Sequence, residues 1–127
     1  MMEKWSLTAL ADSLLTHAFS ASSHRSTRTV HGGPHHDMRQ TVIALVAGQT
    51  VNEFDIPGAA TVQVLRGRVR IAAGDDTTDG SAGQLLIVPD VGHSMQALED
   101  AVVLVTVASP RGEGQPSRSR TVATLRA

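Results

Sequence analysis

The chain has 127 residues, no cysteine or tyrosine, one tryptophan and two phenylalanines, and its eleven basic and twelve acidic side chains leave a formal net charge of −1. Such a length suits one domain that closes a modest core without staples, and the missing thiols exclude disulfides, a thiol nucleophile and a thiolate metal site. Balanced charge offers no field for nucleic acid or an anionic membrane, neither of which is expected as a partner, and the scarcity of aromatics removes stacking platforms for bases and sugars.

The opening "MMEKWSLTALADSLL" mixes acids and polar residues among its apolar ones. It lacks the unbroken apolar core of a signal peptide or spanning helix, so a cytoplasmic protein is expected. Leu7, Leu10, Ala11, Leu14 and Ala18 recur at three- and four-residue steps, and Ser6 is placed to cap the first turn. The spacing predicts an amphipathic helix whose Leu face is buried on a sheet or against a second subunit. The Ser-rich "SASSHRSTR" after it reads as a linker, since serines compete for backbone hydrogen bonds. Helix and linker occupy residues 1–22, a β-rich domain 23–108 and a tail 109–127.

From Thr27 the period becomes that of strands. "TRTVH", "MRQTVIALVAG", "TVNEF", "ATVQVLRG", "RVRIAA", "GQLLIVP", "HSMQAL" and "AVVLVTVA" are separated by turn signals such as Pro57-Gly58 and Gly74-Asp75-Asp76. Many short strands with no second helix predict an antiparallel sandwich or barrel. "GDDTTDG" resembles a calcium loop but has Leu86 where the later bidentate acid belongs, and reads as a hairpin turn. Arg66, Arg68 and Arg70 alternate along what reads as one face; a phosphate site is possible chemistry there, and a solvated outer face is the plainer reading. The tail "SPRGEGQPSRSRTVATLRA" reads as exposed in its first half, and its last residues as an edge strand or a segment docked on a neighbour. No GxSxG, HExxH, P-loop or GxGxxG sequence occurs.

Over roughly Thr27 to Val107 the order of elements resembles the cupin superfamily, whose members are double-stranded β-helix, or jelly-roll, barrels. Gly48 and Gly67 stand at the spacing of the first cupin motif, and "VQVLRGRV" matches its hairpin, with Gly67 at the turn. The positions that hold metal ligands in metal-binding members carry Phe54, Ile56 and Ala60 instead. In the second motif Gly83 and Pro89 keep their spacing, Gly92 sits one place late, and His93 follows as the one ligand clearly retained. The resemblance implies an all-β cupin barrel with one short N-terminal helix, and a homodimer as the usual assembly.

The loop "VHGGPHHDMRQ" adds His31, His35, His36 and Asp37. It reads as a polar turn with solvated imidazoles; the sharper alternative brings one or two of them, His36 first, to the barrel mouth beside His93. His93 and His36 are thus the candidate ligands for one divalent transition metal, zinc, iron, nickel or manganese, and a hydrogen-bonded His93 without metal is the competing reading. His17 and His24 receive no role. Arg39 and Gln40 lie in a long apolar strand, and register decides which of them faces the cavity or a subunit boundary. Met95 shares His93's parity, so Phe54, Gln40 and Met95 are the candidate ligand contacts, in a wall with Ile56, Ala60, Val62 and Val64.

Three functions follow from the resemblance: a barrel that binds a small, largely apolar molecule, a metal-dependent dioxygenase or isomerase using His93 and loop histidines, or a dimeric sensor or accessory module. Fold alone does not choose among them.

Overall fold

The structure, a computed structural model, describes residues 1–33, 37–52, 59–89 and 91–108. After the helix α1 (Leu7–Ser20) come nine strands: β1 (Arg25–His31), β2 (Met38–Leu45), β3 (Thr50–Val51), β4 (Ala59–Arg66), β5 (Arg68–Ala73), β6 (Asp76–Ser81), β7 (Leu85–Val88), β8 (His93–Ala97) and β9 (Ala101–Ala108). They form two antiparallel sheets, one in the order β1-β2-β9-β4-β7 and the other β3-β8-β5-β6. Among the described residues no helix is long and apolar enough to cross a membrane.

The helix begins where its cap chemistry requires, with the Ala9 N–H donating to the Ser6 hydroxyl at 3.1 Å. Leu10, Ala11, Leu14 and Ala18 are buried, and they pack on Val42, Ala44, Val102 and Leu104 of β2 and β9. Of the two covers considered for the Leu face, the chain's own sheet supplies it. On the other side of those strands, Ile43, Leu45, Val103 and Val105 enter the barrel core with Val62, Val64, Val69 and Met95. Both faces of β2 and β9 are therefore buried, which is why "TVIAL" and "AVVLVTV" are nearly continuous apolar runs rather than alternating ones.

Two expectations need correction. "VQVLRGRV" does not form a hairpin within one sheet: β4 pairs with β7 and β9, whereas β5 pairs with β6 and β8. Gly67 is instead the corner at which the chain passes between sheets, with φ +74°, and a Cβ placed there would lie 2.1 Å from the Asp100 carbonyl oxygen. Nor is "GDDTTDG" a turn throughout. Only Gly74 and Asp75 turn, and Asp76–Ser81 is a strand pairing with β5 in full register. As an edge strand β6 tolerates acids that a central strand would not.

The corner also separates the three arginines. Arg66 ends β4 and forms an ion pair with Asp12 of the helix, while Arg68 and Arg70 lie on β5 beside Asp79 of β6. Arg70 grips Asp79 bidentately, Nε to Oδ1 at 2.7 Å and Nη2 to Oδ2 at 3.1 Å. That hydrogen bonding holds the Asp79 carboxyl below the usual carboxylate range; partial desolvation opposes it, and the charges of Arg70 and Arg68 reinforce it. A carboxyl depressed in the folded state stabilises the fold above its unfolded value and loses that contribution as pH falls through its folded value. Asp79→Asn should therefore lower stability slightly at neutral pH, and urea midpoints of variant and parent should converge in acid. A gap that stays constant from neutral to acid pH would show that the carboxylate charge is not responsible.

Candidate functional site

Ala60, Val62, Val64 and Met95, expected as a cavity wall, are buried in the core cluster. Met95 does share its face with His93, as its parity requires, but its side chain is fully buried, directly across from Val51 and Ile71 on the neighbouring strands. Gln40 is on the wrong side: its amide donates to the Thr106 hydroxyl at 3.2 Å, and both residues stand on the outer face, at even positions shared with Val42 and Leu104. The register gives the inward parity of β2 to Arg39, shared with Ile43 and Leu45. Phe54, Ile56, His35 and His36 lie outside the described residues. His31 ends β1 opposite Gln40 and is exposed, as is Asp37.

His93 opens β8 and is half-buried. Its Nδ1 is 3.0 Å from the Val91 carbonyl oxygen, and because a carbonyl only accepts, Nδ1 carries a proton there; in the neutral ring Nε2 is then the acceptor nitrogen. His93 pairs with Ala73 of β5, which pairs in turn with Asp76 of β6. The three residues form a row across one sheet on the inward face, with the small Ala73 in the middle. Two strand spacings separate the ends of the row by roughly 10 Å.

Beside that row the barrel opens. The edge strands β6 and β7 belong to different sheets, and a cleft of about 210 Å³ lies between them. Ile71 and Ala73 form one wall, Leu86, Val88 and Pro89 the other, and Asp76 and Thr78 supply side-chain polar groups at the β6 edge. Further along β6, Gly80 has no side chain and a Cβ there would meet Leu86 at 2.8 Å, so Leu86 closes the gap at that end. Sequence reasoning misses this site because it takes Asp76 and Thr78 for turn residues. The available signal is Thr77-Thr78, a β-branched pair inside an acidic run.

Among the described residues no three His, Cys, Asp or Glu side chains stand close enough to hold a metal ion. With Phe54, Ile56 and Ala60 at the first-motif positions, His93 is a single imidazole and does not by itself make a metal centre.

Two antiparallel sheets closed over one core, glycines 48, 67 and 83 in left-handed turns, and a histidine opening the strand after Pro89 define a jelly-roll barrel of the cupin type. The chain has the fold of a small single-domain cupin. It is similar to a Streptococcus pyogenes protein of unknown function, at 27% identity over 72% of this chain and 79% of that one, with a TM-score of 0.64. An RmlC-like cupin from Desulfovibrio desulfuricans is 26% identical over 66% of this chain and 81% of that one, with a TM-score of 0.57. KdgF from a Halomonas species shares the fold at 17% identity, over 71% of this chain and 84% of that one, with a TM-score of 0.58. No protein-family model matches the sequence, and no curated protein is similar to it.

Proposed function

We propose that this chain is a binding barrel, in which a small, largely apolar molecule lodges between the two sheets at the β6–β7 opening. The observation that supports it is the cleft itself: apolar walls from both sheets, a few polar groups at the mouth, and a packed core behind. At about 210 Å³ it suits a molecule of only a few heavy atoms. 1-Butanol is a suitable neutral probe. In an NMR titration it should shift the methyl signals of Ile71 and Leu86 saturably and leave those of Leu10 and Leu14, on the buried face of the helix, in place. Shifts that are absent or unsaturable would end this reading.

A second reading gives His93 a metal, one divalent transition ion shared with His36. Its support is the Nδ1–H bond to the Val91 carbonyl, since ligating imidazoles characteristically donate their other ring N–H in this way and keep Nε2 as the ligand atom. Such an ion would supply Lewis acidity at the barrel mouth. Elemental analysis of tag-free protein purified without chelator should then find near-stoichiometric zinc, iron, nickel or manganese, lost in His93→Ala and His36→Ala. Metal-free parent protein would retire it.

A further inference from the structure

The polar edge of the cleft is one-sided in charge. The acidic run "DDTTD" is divided by the pleat and the turn: Asp75 sits in the turn, Asp79 points outward to Arg68 and Arg70, and Asp76 lines the cleft with Thr78. The described arginines nearest in sequence are engaged elsewhere, Arg66 with Asp12 and Arg68 and Arg70 with Asp79. Among the described residues no ion pair involves Asp76 and no basic side chain lines the cleft. The cleft thus offers a carboxylate and a hydroxyl at one edge of an apolar slot.

From this we propose that the cleft selects a small aliphatic ammonium compound, its alkyl part between Ile71 and Leu86 and its charged head hydrogen-bonded by Asp76 and Thr78. The inference rests on the binding reading above and adds the chemical class of the ligand. A divalent cation fits less well, because one carboxylate and one hydroxyl fall far short of the six to eight oxygens calcium takes, about six for magnesium. An ammonium needs fewer partners. Its three N–H donors match the acceptors of Asp76 and Thr78 and leave a position for water. A carboxylate ligand of the same length meets repulsion at the same place. In volume the slot equals about seven waters at their liquid share of roughly 30 Å³ each, which suits a head group on a chain of about four carbons.

The test compares three probes of one length by NMR titration of the intact chain: butylammonium, 1-butanol and butyrate. Attraction of one ion and repulsion of the other at an exposed carboxylate together predict a preference of about tenfold for butylammonium over butyrate, shrinking as salt is raised. In Asp76→Asn the preference of butylammonium over butyrate should vanish; Asp76 is exposed, so this variant retains the fold. Butanol binding without an ammonium preference, or a preference that survives Asp76→Asn, would overturn the ammonium assignment and leave the binding cleft standing. If no probe shifts Ile71 or Leu86, the cleft reading itself falls, and this inference with it.

Discussion

Leu45→Ala should cost roughly 3–5 kcal/mol of folding stability, the largest effect expected of a single side-chain truncation in this chain. Leu45 is 1% exposed and is among the largest fully buried side chains. It sits near the end of β2, packed into the core shared by the two sheets, while its neighbour Ala44 faces the helix on the other side of the same strand. The lost transfer energy and the cavity term add. Against a total stability of about 5–15 kcal/mol, such a loss is a large fraction. Leu85→Ala is the matched control: Leu85 is 56% exposed on the edge strand β7, and its truncation should change stability by about 0.5 kcal/mol or less. Urea denaturation of both variants checks the pair, and similar losses would mean that the core has been placed wrongly.

Gly67→Ala should be, with Gly32→Ala, among the most damaging of the glycine substitutions. The residue holds φ +74°, which costs an L-residue about 1–2 kcal/mol before any contact is counted. Contact then adds to it. The new Cβ would lie 2.1 Å from the Asp100 carbonyl oxygen and 3.0 Å from the Ala101 Cα, so two backbone segments must part at the corner where the sheets join. The total should reach about 3–4 kcal/mol, among the larger mutational effects. Gly48 isolates the conformational part, with φ +93° and nothing within 4 Å of where a Cβ would stand; Gly48→Ala should cost only the backbone strain of about 1–2 kcal/mol. If the two variants melt together, the close approach at Asp100 contributes nothing.

These residues also show what can be read in advance. The helix is legible because its period and its Ser6 cap are local signals, and β2 and β9 because β-branched runs buried on both faces leave an unmistakable pattern. Local chemistry misleads where it is made to stand for topology. A glycine between two strands signals a turn, yet nothing within "VLRGRV" tells whether the flanking strands pair with each other or leave for different sheets. Aspartate and glycine lower strand propensity, so β6 reads as a turn, although an edge position imposes little of that penalty. The inward parity of His93 and Met95 follows from the pleat. What parity leaves open is whether the space it points to is filled: core packing fills it at Met95, while the gap between β6 and β7 arises where the edges of two different sheets face each other. Gln40 fails for a related reason, since one residue of register decides the face.

The measurement that bears most directly on the binding reading is the 1-butanol titration repeated on Ala73→Leu. Ala73 is 7% exposed and lines the cleft between Ile71 and Asp76, so the larger side chain fills the slot from its own wall. Binding should weaken by about tenfold or more, a change of at least roughly 1.4 kcal/mol, with the amide spectrum elsewhere preserved. Butanol bound as tightly by Ala73→Leu as by the parent would contradict the account, because a ligand indifferent to the cleft's volume does not occupy it.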